Sequence, residues 1–309
     1  MSENMITINK IPSKTWYWLK VNDAKIAWDT DNTVSLGDET ITVPAGEART
    51  VSMHIESRSD FSRKNITLEA GKGSSLTVFM DYSISASLHV NTDIRTEAGA
   101  SVKLVQVQKA ADSTLLYNTI NGTDAEKSST SILQLFPGKG HVYSEIRNDL
   151  NGDGSEFSAD IGYLGQNSQK IDFNLVVNHF GKNTKCRIDA NGALKDSASK
   201  LFRGTIDFKT GCSGAVGSED ESVLMLGDDV SNRTVPVILC TEEDVMGTHG
   251  ATIGELDEET LFYFGSRGIS REEAEKIMAR AALDRLVRMI GSSELEESTG
   301  KYIDEVLES

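Results

Sequence analysis

PAGEARTV (Pro44–Val51), EAGKGSSLTV (Glu69–Val78) and EAGASVKLV (Glu97–Val105) are three versions of one phrase, an Ala-Gly turn feeding a strand. Ala45-Gly46, Ala70-Gly71 and Ala98-Gly99 recur at spacings of 25 and 28 residues. A recurring turn ahead of a recurring strand points to stacked coils, as in a β-helix or another β-solenoid. One coil cannot bury its apolar side alone, and stacking completes the core. A β-sandwich carries similar local patterns; the recurrence favours the solenoid.

Outward from these phrases, Thr40 to Met246 shows no helical period. Short alternating runs rich in Val, Ile, Thr and Ser follow one another: Arg49–His54, Ser75–Asp81, Ser101–Gln108, Ser129–Leu135, Gln169–Val177 and Thr234–Cys240. Gly, Asn and Asp separate them, which is the pattern of strands joined by tight turns. Proline occurs only at positions 12, 44, 137 and 236, so few ladder donors are lost. Asp149-Leu-Asn-Gly-Asp-Gly154, with Asp160 twelfth, resembles a calcium loop, but its flanks (His141–Arg147 and Phe157–Tyr163) read as strands. A tight turn is the simpler account.

After Gly254 the chemistry becomes helical. Asp257 can cap a short helix running through Ser266, in which Phe262 is expected to pack into the core, and Gly268 follows as a stop. Ser270 and Glu273 fit a capping box for a second helix, with Ala274, Ile277, Met278 and Ala281 on one stripe, continued by Leu283, Leu286, Val287 and Ile290 before Gly291 ends it. Ser293 can open a third helix holding Tyr302, Val306 and Leu307. The division is residues 1–39 as an N-terminal segment, 40–254 as the β core and 255–309 as a small acidic helical domain. Near the start, Trp16-Tyr17-Trp18 reads as an anchor of the terminal segment on the core.

The net charge of −16 opposes nucleic-acid and anionic-membrane partners, which need a basic face, and leaves a basic protein surface as the compatible partner. No apolar run is long enough to cross a bilayer, and the polar start, Met1–Lys10, does not read as a signal peptide. Three widely spaced cysteines (Cys186, Cys212, Cys240) make no disulfide framework, so a reducing, cytoplasmic setting is expected. The absence of C-x-x-C argues against a standalone zinc or redox site. Cys240 shares strand parity with Pro236 and Ile238 and reads as a small core residue. The candidate functional residue is His249. It sits in T-H-G-A-T, where small neighbours leave the imidazole free to face a partner or a metal. The bland alternative is a histidine bonded to a backbone carbonyl at the β-to-α junction.

The segment around His249 resembles the C-terminal signature of the SufB/SufD proteins, scaffold subunits of the Suf iron–sulfur cluster assembly machine. The matching residues are Pro236, Asp244, Val245, His249 to Thr252, Gly254, Leu256 to Glu259, Leu261 to Tyr263 and Ser266 to Ile269. A weaker match runs from His179 through Gly192-Ala193-Leu194 to Phe202-Arg203-Gly204. The resemblance implies a right-handed parallel β-helix. It implies a transient iron–sulfur cluster, with His249 as its metal and cofactor-binding residue at a subunit interface. It also implies a SufC-type ATPase docked on Leu261–Arg267 and the helix from Ser270, a SufB-like scaffold or a second copy of the chain as partner, and a sulfur donor protein. Gly250 stands where SufB-like sequences have Glu, which makes the chain SufD-like there. Glu221 and Tyr82 stand at the two SufB-type cysteine positions, so both thiols are missing. The N-terminal helical region of such proteins is expected to be mostly absent. With no phosphate loop in the chain, ATP hydrolysis falls to the partner. The competing readings are a β-helical polysaccharide-active enzyme, disfavoured by 6% aromatics and no secretion signal, and a purely structural module.

Overall fold

The computed structural model describes residues 4–309; the first three residues of the polar start lie outside the described range. Sixteen strands between Val34 and Gly254 alternate between two eight-stranded parallel sheets. Each strand pairs with the one two places away in the chain, so two strands and two turns make one coil of a β-solenoid. The expected strand runs all fall on observed strands, mostly extended by a few residues. The tight turn expected after Asp149 is present between His141–Leu150 and Glu156–Gly165. Asp149 accepts from Asn178 while Asp160 is held by Arg187, so the two carboxylates are engaged separately and no calcium loop forms.

One corner of the solenoid explains the repeat. Gly46, Gly73, Gly99, Lys127, Gly154, Asn183 and Gly214 occupy equivalent places in successive coils, all at φ between 53° and 77°. Each donates its N–H to the carbonyl just before its counterpart one coil on, as in Gly46 N to Lys72 O (2.9 Å) and Gly99 N to Glu126 O (2.8 Å). The left-handed conformation is what glycine supplies without strain. The middle sequence copy is therefore two residues out of register: Lys72-Gly73, not Ala70-Gly71, is equivalent to Ala45-Gly46.

Alternate side chains of the strands between Val34 and Leu226 point into a mainly apolar core that runs from Ile41 to Val223, with the hydrogen-bonded Gln106, Asn118, Gln134 and Ser144 buried within it. The outward side chains of the sheet ending in Val245–Gly254 are also apolar in its middle (Val105, Val107, Leu133, Leu135, Leu164), because helices cover them. Helix α1 spans Glu258–Ser266, α2 Arg271–Arg288 and α3 Ser293–Glu308. Asp257 caps α1 and the Ser270/Glu273 capping box opens α2, both as expected. The buried stripe of α2 is the expected one in its second half and at Ala274, and departs from it between them. Ala274, Ala279, Leu283, Leu286 and Val287 face the sheet, and Ile277 and Ala281 face solvent. Leu283 and Leu286 lie directly over Gly162, where a methyl group would collide with both.

The N-terminal segment crosses the outer face of the other sheet as a strap. Its strands Met5–Ile8 and Ala24–Ala27 pair antiparallel. Trp28, not the Trp16–Trp18 cluster, is the anchor: it is buried against Phe61 and His89. Trp16, Tyr17 and Trp18 are 70–87% exposed. The strap is fixed by Arg203, which is fully buried, pairs with Asp172 and donates to the carbonyls of Val21 and Asp23. Among the described residues, no helix is long and apolar enough to cross a membrane.

Candidate functional site

The last coil consists of Ser231–Cys240 and Val245–Gly254, and neither strand has a neighbour on its far side. Two unpaired ten-residue edges therefore lie side by side at the end of the stack, each presenting free N–H and C=O groups. His249 is exposed on the second of them. Its register partners explain its direction. His249 lies beside Glu219 in Ala215–Leu226, which lies beside Ile188 in Lys185–Lys195, a core residue. The imidazole thus belongs to an inward-facing column and is uncovered only because no coil lies above it.

The same logic corrects Cys240. Its strand parity is inward, level with Phe208 of the core, yet it is exposed because its coil is the last. Its thiol donates to Glu242 O at 2.9 Å. Cys186 and Cys212 are buried instead, and burial is the main cause that pushes both thiols up, Cys186 to about 12. Cys186 lies under Gly217 and Gly247, two positions along from the His249 column. Tyr82 is wholly buried. Cys240 is thus the only exposed thiol among the described residues.

Beneath the last coil the core turns polar, which the sequence reading did not anticipate. Glu221 and Lys200, both buried, form an ion pair between the two sheets. Thr234 also donates to Glu221, as does the Tyr163 hydroxyl at 3.5 Å. The Lys200 ammonium lies 5.8 Å from the Tyr163 ring centre and 5.6 Å from that of Phe202. Burial lowers the Lys200 pKa, and the Glu221 carboxylate opposes that shift. Glu219, only 3% exposed, makes no hydrogen bond or ion pair among the described residues. Its carboxyl points across the core at Gly204, where any Cβ would overlap it. Burial first, and the Glu221 charge second, push its pKa up to about 8. Asn232, in the inward column beside Lys200, has both amide atoms buried and unpartnered. The sequence signal for this cluster was E-D-E at Glu219–Glu221, two carboxylates at strand spacing.

Among the described residues no three His, Cys, Asp or Glu side chains converge as a ready metal cage. The end of the solenoid instead offers an exposed imidazole, an unpaired carboxyl one strand below it, and a charge-balanced floor. On the helical side, Phe262, expected in the core, is 77% exposed. Tyr263 is exposed beside it, with the Arg267 guanidinium 5.3 Å from its ring centre. No residue of α1 is buried. His179, at the head of the weaker match, is a core residue: it stacks on Phe208, and burial depresses its pKa to about 4.

Comparison with known proteins covers this whole region. The family model described as "SUF system FeS cluster assembly, SufBD core domain" matches residues 53–282. The iron-sulfur cluster assembly protein SufD of Bacillus subtilis is 31% identical over 196 residues, which are 62% of this chain and 44% of that protein. A chloroplastic iron-sulfur cluster assembly SufBD family protein of Arabidopsis thaliana is 28% identical over 149 residues, 48% of this chain and 27% of the relative. The chain thus spans less than half the length of either relative. With its match running through most of the solenoid and into α2, the chain belongs to the SufB/SufD family of iron–sulfur cluster assembly components.

Proposed function

We propose that this chain is a scaffold on which iron–sulfur clusters are built, at the open end of its solenoid. The observation that carries the reading is the position of His249, exposed on the last, unpaired strand and directed along the inward column. A neutral imidazole nitrogen is a good iron ligand and can stand beside thiolates in a cluster site. The two open edges fit a partner with a matching pair of edges, either a SufB-like chain or a second copy of this one. Cys240 is the one exposed thiol, so most cluster thiolates come from the partner or from the incoming sulfur carrier. A SufC-type ATPase docks on α1 and the start of α2, where Phe262 and Tyr263 stand unburied. The ATPase hydrolyses ATP; this chain binds and positions. Its setting is the reducing cytoplasm, and the cluster is transient cargo that leaves with an acceptor.

The test is co-purification with a SufC-type ATPase, followed by anaerobic reconstitution with iron and sulfide, read by absorption and Mössbauer spectroscopy. Wild type is expected to assemble a cluster, and His249→Ala to lose it while keeping the ATPase. Full assembly by His249→Ala would make the chain a structural module with an incidental histidine.

A further inference from the structure

We propose that the loop from Thr15 to Asn22 of the N-terminal strap is an insertion finger for the surface of an anionic lipid membrane. Trp16, Tyr17, Trp18 and Leu19 enter the interface, and Lys14, Lys20 and Lys25 meet the headgroups. This goes beyond the scaffold reading and does not rest on it.

The loop is held rigid from its base. Asn22 closes it: its amide oxygen accepts from the Thr15 N–H at 2.7 Å and from the Thr15 hydroxyl at 3.0 Å, and its amide nitrogen donates to the Thr15 carbonyl at 3.0 Å. The Leu19 N–H donates to Trp16 O and the Lys20 N–H to Tyr17 O, which folds the tip into a single 3-10 turn. Below the tip, Arg203 holds the carbonyls of Val21 and Asp23, and Arg233 reaches Leu19 O at 3.5 Å. Polar groups make all of these bonds, and the apolar side chains of the tip take no part in them. Trp16 and Trp18 stand edge to face, 6.4 Å between ring centres, and no residue of the turn is buried. An aromatic tip that is ordered from below and covered by nothing is a surface prepared for a partner, because the cost of ordering it is met before binding.

Lipid is the partner that this chemistry fits. Tryptophan and tyrosine favour the boundary between headgroups and acyl chains, where the ring is buried while its N–H or O–H stays wet. Lysines flank the tip on both sides, in K-T-W-Y-W-L-K from Lys14 to Lys20. Lys25 shares a cleft with Tyr17, Lys20, Asn22 and Asp23. Residues 10–25 hold four lysines and one aspartate in a chain whose net charge is −16. Such a local excess of lysine beside an apolar tip is drawn to anionic headgroups. The acidity of the whole chain does not oppose it. Helix α3, with six acidic residues and one lysine, packs on the outer face of the other sheet. Exposed charges are largely screened beyond about 8 Å at physiological salt. The exclusion of anionic membranes drawn from net charge therefore describes the average of the chain and not this face.

The full-length chain is mixed with vesicles of phosphatidylcholine containing one-third phosphatidylglycerol, and separately with vesicles of phosphatidylcholine alone. Binding is read by co-sedimentation and by tryptophan emission, with brominated acyl chains as quencher. Trp28 is buried, so the response reports on Trp16 and Trp18. Wild type is expected to bind the anionic vesicles at low salt, to shift its emission to shorter wavelength and to be quenched. Binding to the uncharged vesicles should be at least tenfold weaker. Trp16→Ala with Trp18→Ala, and Lys14→Glu with Lys20→Glu, should each weaken binding to the anionic vesicles at least tenfold; these side chains are exposed, so far-ultraviolet circular dichroism should confirm that both variants fold. No binding by wild type, binding without quenching, equal affinity for the two kinds of vesicle, or wild-type affinity in either double variant overturns the proposal. A dimer in sedimentation equilibrium without lipid, lost in the tryptophan double variant, would identify a second copy of the chain as the occupant of the tip and overturn it as well.

Discussion

Replacing Glu219 by Gln is expected to stabilise the protein, and increasingly so as pH rises. The folded carboxyl titrates at about 8 against an ordinary value of 4.5, burial being the main cause. Its folded pKa lies above its unfolded one, so between these values the unfolded chain has released a proton that the folded chain still holds. Stability then falls with rising pH at about 1.4 kcal/mol per unit and levels off above pH 8. Across that window the loss amounts to about 4–5 kcal/mol, an upper bound because local relaxation and water entry soften it. Gln keeps the shape and cannot ionise, so it removes the slope. Wild type and variant should be nearly equal at pH 4.5 and differ by several kcal/mol at pH 8. Urea unfolding followed by circular dichroism measures this at both pH values. Because coils of a solenoid can open separately, amide exchange at Ser218–Ser222 shows whether the destabilisation is confined to the end of the stack. A gap that does not widen with pH, or a Gln variant less stable than wild type at pH 8, would refute the picture of an unpaired buried carboxyl.

Two further substitutions test the parts that frame the site. Arg203→Ala leaves Asp172 buried without its counter-charge, a loss of about 3–5 kcal/mol, and removes the donors that hold Val21 and Asp23. Trypsin should then cut faster at Lys14 and Lys20, and an unchanged digestion rate would mean that Trp28 alone secures the strap. Leu283→Ala opens a cavity between α2 and the sheet, costing about 2–5 kcal/mol. A melt followed by circular dichroism should show the helical signal lost ahead of the β signal; a single unshifted transition would mean that the helices contribute little to their own docking.

The solenoid was legible because its turns are chemically constrained and its strands are not. A position held at positive φ in coil after coil selects Gly or Asn, with Lys127 the exception, and that selection survives where strand composition drifts. Its limit is visible in the same place: EAGKG holds two glycines, and only the backbone shows that Gly73 and not Gly71 is the left-handed one. The helix ends were equally legible, since a cap is a local hydrogen bond between near neighbours. Burial was less legible wherever it depends on what lies beyond the element. Phe262 and Trp16 to Trp18 are apolar enough for a core, but no second layer covers them. Cys240 was assigned the correct face of its strand and the wrong environment, because parity fixes direction, while burial also needs a coil above. Glu219 and Glu221 were missed for the converse reason: a run of acidic residues reads as solvated surface, and only register reveals two of them inside the stack.

The two ends of the solenoid differ in a way that bears on where its chemistry lies. At the first coil the inward column is Ile41, Val43 and Ile55, with Leu36, Val51 and Met53 packed against it. At the other end, the last two coils turn Lys200, Glu219, Glu221, Thr234 and His249 inward, with an unsatisfied Asn232 among them. Apolar side chains at an open end gain from any cover, whatever its chemistry. Charged and polar ones do not, since covering them without pairing costs more than leaving them wet. A polar open end is therefore stabilised by something that brings its own donors and charge, such as a metal ion, a sulfur species or a partner chain with complementary groups. Unpaired strand edges lie at both ends of the stack and so do not themselves tell the ends apart; the inward side chains do. Under the scaffold reading proposed above, these polar groups assign cargo and partner to the His249 end, and they follow from the register of the last two coils rather than from the histidine alone.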